Sequence, residues 1–144
     1  MEAISNYVSY REAVRSTTAT RHNIDNAPNS KQLEAMRYVA VNVFDKVRQH
    51  FGLPIFISSF FRNAEVNKLV GSSSSSFHLL GAAIDIDPDV FGGVKNSEVF
   101  EYIKNHLPFT ELIWEFGDEK EPNWVHVALV KGRDNEKKIK YFKK

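Results

Sequence analysis

The chain contains no cysteine, which rules out disulfides and thiolate metal sites and leaves only nitrogen and oxygen donors for any metal. It also lacks a charge bias. Nineteen basic and 18 acidic side chains give a formal net charge of +1, so the molecule as a whole offers no electrostatic case for nucleic acid and none is expected as a partner. No apolar run approaches the roughly 18 residues that span a bilayer. The first residues, Met1-Glu2-Ala3-Ile4-Ser5-Asn6, have no basic segment followed by an apolar one, so no signal peptide is expected and the chain reads as cytoplasmic when made. No internal repeat is visible. What remains is the composition of an ordinary globular domain: 144 residues, 42% hydrophobic and 26% charged. That length is enough for one real core. Charge gathers only at Lys131–Lys144, where seven Lys or Arg face Asp134 and Glu136; this is either a solvated tail or a patch that holds an anionic polymer.

The strongest helical signal runs over Ser30–Phe51. Leu33, Met36, Ala40, Val43, Phe44, Val47 and Phe51 recur at steps of three and four and share one face. Ser30 is the expected N-cap and Gly52 the expected stop. Before it, Tyr7–Ser16 is expected to hold a short helix and 17–29 to be a polar connector. Pro54–Ser59 reads as a strand, followed by a short helix capped by Asn63. Ser72–Ser76, five serines in a row, reads as a surface loop. Ala82–Asp87 is β-compatible, and a helix capped by Asn96 or Ser97 should end before Pro108. Thr110–Phe116 and Trp124–Val130 are strand-like and form an antiparallel hairpin about the loop at 117–123, with Lys138–Phe142 as a further edge strand. Helices early and strands mostly late imply an α+β domain, a small antiparallel sheet with helices packed on it. Three segments follow: an N-terminal extension with a short helix at 1–29, the main domain at 30–131, and a basic tail or edge strand at 132–144.

One stretch carries chemistry: Ser76-Phe77-His78-Leu79-Leu80-Gly81-Ala82-Ala83-Ile84-Asp85, followed forty-one residues after Asp85 by His126 in Trp124-Val125-His126-Val127. Two imidazoles and a carboxylate are the donor set that holds zinc with a fourth position open, the requirement of a catalytic rather than a structural metal. The seven-residue step from His78 to Asp85 is not helical spacing. It suits a loop or helix end delivering His78, a tight turn at Gly81 and a strand carrying Asp85, with Gly81 supplying a positive φ or a close backbone approach. Pairing the hairpin symmetrically about its loop sets Glu115 opposite His126 and Ile113 opposite Ala128, which brings one carboxylate near the ligand as proton acceptor for the attacking water. A slip of one residue would send Glu115 to the other face. His22, His50 and His106 have no partner spacing and read as surface residues.

The pattern Ser76-x-His78-x-x-Gly81-x-Ala83-x-Asp85, with Trp124-x-His126 downstream and Ile57-Ser58-Ser59-Phe60-Phe61-Arg62 upstream, resembles the zinc D-Ala-D-Ala carboxypeptidases. These are M15-type peptidases that share a fold with hedgehog signalling domains, and the resemblance is to their short single-domain phage and bacterial members. It implies that His78, Asp85 and His126 ligate Zn2+, that Arg62 faces the substrate (a surface ion pair being the alternative), and that Ser76 holds the ligand loop or contacts substrate. It further implies a zinc peptidase acting on peptidoglycan peptides, as carboxypeptidase or as endolysin-type endopeptidase. A monomer is expected, and without a signal peptide either a lysin that reaches the cell wall by lysis-type release or a cytoplasmic peptidase fits better than a secreted enzyme. Some relatives carry an acidic residue three positions before the last histidine. Here that position is Asn123, which has no carboxylate, so Glu115 becomes the first candidate base, with Glu121 and Glu119 in reserve. The competing expectations are a zinc-stabilised binding module and a phage structural protein of the same fold.

Overall fold

The computed structural model describes residues 2–143. Its helical layer is built around α3 (Ser30–Val39), which continues through a π-helical turn (Ala40–Phe44) into α4 (Asp45–Phe51). The amphipathic pattern accounts for its seat: Met36, Val39, Ala40, Val43, Phe44 and Val47 are buried on one face. Asn29, not Ser30, caps it. The Asn29 side chain accepts from the Gln32 amide, and the Gln32 side chain accepts from that of Asn29, a reciprocal box that starts the helix one residue earlier than a Ser30 cap would. Gly52 ends the run in the left-handed conformation, φ 67°.

Ahead of it lie α1 (Tyr10–Val14) and α2 (Thr17–Arg21). The second was expected to be connector. Its single turn is started by the Ser16 side chain and anchored by buried Ala19, a fold too local for periodicity to reveal. Ile4, Val8 and Ala13 join the main core. Buried Asn26 donates to the carbonyls of Val14 and Phe61 and accepts from the Asn63 amide, so these early residues brace the chain on either side of Arg62.

Five strands form one sheet in the order β1-β2-β4-β3-β5: β1 (Phe56–Ser59), β2 (Ala83–Asp87), β3 (Glu111–Glu115), β4 (Trp124–Ala128) and β5 (Lys138–Phe142). All neighbours are antiparallel except β5, which lies parallel to β3. Between β1 and β2 come α5 (Ala64–Leu69), capped by Asn63 as expected, and the serine loop. Between β2 and β3 comes α6 (Asn96–His106). Its N-cap is Lys95, whose amide donates to Glu98. Asn96 is unavailable for capping because its buried amide ties Asp87 to the carbonyls of Pro122 and Asn123.

Alternation splits the sheet into two faces. Ile57, Ile84, Ile86, Leu112, Trp114, Val125 and Val127 enter the core under the helices. Phe100 of α6 meets Trp114 edge to face at 5.2 Å. The opposite face carries Asp85, His126, Glu111, Ile113 and Glu115, since Asp85 pairs with His126, and His126 with Ile113. The hairpin register differs from the symmetric expectation by two residues: Glu115 lies opposite Trp124 and Ile113 opposite His126. The reason is that the strands close at Glu115 itself, whose carbonyl accepts from the Asn123 amide, while the loop folds back on itself through the Asp118 amide and the Glu121 carbonyl. A shift of two preserves facing, so Glu115 stays on the His126 face.

Candidate functional site

His78 sits in a 3-10 turn (Phe77–Leu80) capped by Ser76, whose side chain accepts from the His78 amide. Gly81 then reverses the chain at φ 76°. A Cβ there would stand 2.6 Å from the Gln32 carbonyl oxygen and 2.8 Å from Met36 Cγ. Both anticipated reasons for this glycine therefore hold: a left-handed bend and a close approach to α3. The bend sends the chain directly into β2 and places Asp85 beneath the imidazole. His126 arrives from β4 by the sheet pairing described above.

The three side chains converge. Asp85 Oδ1 lies 3.2 Å from His78 Nε2 and 2.9 Å from His126 Nδ1, and one donor atom from each residue falls within 4.8 Å of the others. All three are buried. Ligands about 2.0–2.1 Å from a tetrahedral zinc stand about 3.3 Å apart, close to these separations. Proton placement points the same way. His78 Nδ1 is 2.6 Å from the Phe60 carbonyl oxygen, which can only accept, so the ring proton belongs on Nδ1. With its proton on Nδ1, the ring has an Nε2 lone pair free for a cation held beside the Asp85 carboxylate. His126 stands between two carboxylates, with Nδ1 toward Asp85 and Nε2 3.0 Å from Glu111 Oε1. The donor set thus fits a divalent ion with nitrogen and oxygen preference, zinc among them.

The electrostatics follow from this crowding. Burial by itself would raise the Asp85 pKa, but the charges and hydrogen bonds of His78 and His126 outweigh it and hold the carboxyl far below the usual carboxylate range. Burial would likewise lower that of His126; the hydrogen bonds its ring donates to Asp85 and Glu111 reverse the sign and push it up to about 9 in the metal-free protein. Glu115 is the opposite case. Burial, reinforced by the negative charge of Asp85, pushes it up to about 7 against the pull of His126 and Arg62.

These groups open on a cleft of about 550 Å³, walled by the serine loop on one side and by β3, β4 and β5 on the other. Arg62, Ser76, His78, Asp85, Glu115 and His126, the residues singled out in the sequence, all line it. Burial lowers the pKa of Arg62, opposed by Asp85 and Glu115, and its buried Nε has no hydrogen-bond partner. The reserve carboxylates are elsewhere. Glu121 accepts from the amide and hydroxyl of Ser97 at the start of α6, and Glu119 is exposed on the loop. Asn123 is exposed too and does not line the cleft.

Two cleft residues were missed in the sequence, Glu111 and Lys140. Glu111 is four positions before Glu115 in one strand and therefore on the same face, a signal that was present but unused. Lys140 lies beside Ile113 only because β5 runs parallel to β3, which no local pattern announces.

Among the described residues no helix is long and apolar enough to cross a membrane. Of known proteins, no curated sequence matches the chain. A family model described as Peptidase M15 matches residues 6–128, a span that contains the whole His78–Asp85–His126 group and ends before β5. Peptidases of that family are typically zinc-dependent. A match over most of the chain means that it belongs to the M15 metallopeptidases.

Proposed function

We propose that the chain is a zinc-dependent peptidase hydrolysing peptide bonds in peptidoglycan peptides, as a carboxypeptidase or an endolysin-type endopeptidase. The observation that carries the reading is the buried His78–Asp85–His126 group opening on a cleft that also holds Glu115 and Arg62. In this reading His78 Nε2, an Asp85 oxygen and His126 Nδ1 hold the ion. Bound there, zinc supplies Lewis-acid polarisation of the scissile carbonyl and activation of the attacking water.

The remaining work falls to the chain. Glu115, on the His126 face of the sheet and lining the cleft, accepts a proton during attack and returns it to the departing amine, acting as general base and then general acid. Arg62 offers a guanidinium whose Nε is unspent, matched to a substrate carboxylate or to the carbonyl of the bond being cut. Ser76 keeps the His78 turn in shape. Phe116 and Trp124, edge to face at 5.5 Å, supply an apolar wall at the end of the cleft near Glu115.

The deciding experiment is digestion of purified peptidoglycan by the zinc-loaded protein with and without chelator, identifying released fragments by mass. Cleavage that stops with chelator and returns with zinc is the expected result, and the fragment masses name the bond. Chelator-insensitive cleavage overturns metal catalysis. Zinc binding without cleavage favours a binding module of the same fold.

A further inference from the structure

Beyond the groups already given roles, the cleft contains a third carboxylate, Glu111, in contact with His126. Glu111 begins β3, and its two oxygens are used in opposite directions: Oε1 lies 3.0 Å from His126 Nε2 and Oε2 lies 3.2 Å from Lys140 Nζ on β5. The Glu111 side chain is 14% exposed and the Lys140 side chain 48%, so the carboxylate is shielded while its counter-charge stays at the rim. An exposed ion pair alone would need only one of these contacts. The remaining one aims at the imidazole nitrogen that faces away from Asp85 and His78.

We propose that Glu111 is a positioning residue for the metal: by accepting the Nε2 proton of His126 it holds that ring in the tautomer whose Nδ1 lone pair points at Asp85 and His78, and Lys140 keeps the carboxylate aimed. Without Glu111, the ring proton is free to sit on Nδ1, where it would donate to Asp85 and block the ligand position. The two histidines would then be fixed by the same device, His78 through a backbone carbonyl and His126 through a carboxylate, which also makes the ring a stronger donor. Lys140 belongs to β5, which lies beyond the residues that the family model matches. The inference rests on the zinc reading above.

The test is zinc affinity of the full-length protein, measured by competition with a chromophoric chelator, for wild type, Glu111→Met, Glu111→Gln and Lys140→Met, with folding of each metal-free protein checked by circular dichroism. Glu111→Met preserves length and removes the acceptor; it should weaken zinc binding about 10- to 100-fold, the usual loss when the partner of a ligating histidine is removed. Glu111→Gln keeps an oxygen able to accept the ring proton and should recover most of that loss. Lys140→Met should cost less than Glu111→Met. The ligand-field bands of the cobalt-substituted protein should move in the Met variant and stay near wild type in the Gln variant. Equal affinity of wild type and Glu111→Met overturns the proposal alone, as does a Gln variant as weak as the Met variant. An unchanged Lys140→Met removes Lys140 from it. A wild type that binds no zinc overturns the zinc reading as well.

Discussion

Replacing Gly81 by alanine separates two costs that the structure superimposes at one position. The first is conformational: a φ of 76° costs an L-residue with a side chain about 1–2 kcal/mol. The second is spatial. The new methyl would lie 2.6 Å from the Gln32 carbonyl oxygen and 2.8 Å from Met36 Cγ. Met36 is fully buried, and the Gln32 carbonyl is helix backbone whose side-chain amide also donates to the Leu79 carbonyl. Neither neighbour can yield without moving α3 or the His78 turn, and overpacking of this kind costs about 1–3 kcal/mol. The stiffer unfolded chain returns about 0.4–1 kcal/mol. A net loss of about 2–4 kcal/mol corresponds, for a domain this size, to a fall in Tm of about 6–12 °C. Gly71→Ala is the internal control: Gly71 has the same φ of 76° but nothing within 4 Å of the added atom, so it carries the conformational cost alone, about 5 °C or less. Differential scanning calorimetry of chelator-treated proteins gives both numbers without metal masking the difference. Equal falls for the two variants would refute the claim that the turn is wedged against α3.

Glu115→Gln should lower kcat by about 10²–10⁴, the range for losing a general base, and leave zinc affinity close to wild type, as measured by fragment release and chelator competition; unchanged turnover removes Glu115 from the chemistry. In the metal-free protein, Tm should fall as pH rises from about 6 to about 9. His126 has its folded-state pKa raised from 6.5 to about 9, so the stability it contributes is present below the first value and lost through the second. Glu115, raised from 4.5 to about 7, contributes a loss at lower pH in the same direction, which the Gln variant should abolish. Saturating zinc should oppose the trend, because it requires His126 unprotonated at Nδ1. A metal-free Tm that climbs over this range contradicts the account of His126.

How much of the molecule was legible depended on how locally each feature is encoded. His78, Gly81 and Asp85 lie within eight residues, and their roles follow from one turn and one strand, so the spacing sufficed. The α3–α4 run was visible for the same reason, through its three-and-four periodicity, and its π turn left the buried face continuous. Features settled by distant partners were not. Whether Asn96 caps a helix depends on Pro122 and Asn123, which occupy its amide instead. The hairpin register depended on where the loop chose to close, and an error of two residues set Glu115 opposite His126 when Ile113 occupies that place. In the true register Glu111 lies two positions beyond Ile113 on the same face and reaches His126 from there. The direction of β5 is a property of the assembled sheet.

The two histidines of the centre differ in what holds them. The Nδ1 proton of His78 is taken by the carbonyl of Phe60, an atom every residue possesses, so no point mutation can delete that partner while the chain keeps its path. His126 leans on the side chain of Glu111, which a single nucleotide change can replace. One half of the site is therefore inherited with the fold, and the other is open to adjustment. Variation in how tightly descendants of this sequence grip their metal is expected to accumulate on the β3 side of the cleft, leaving the His78 turn as it is.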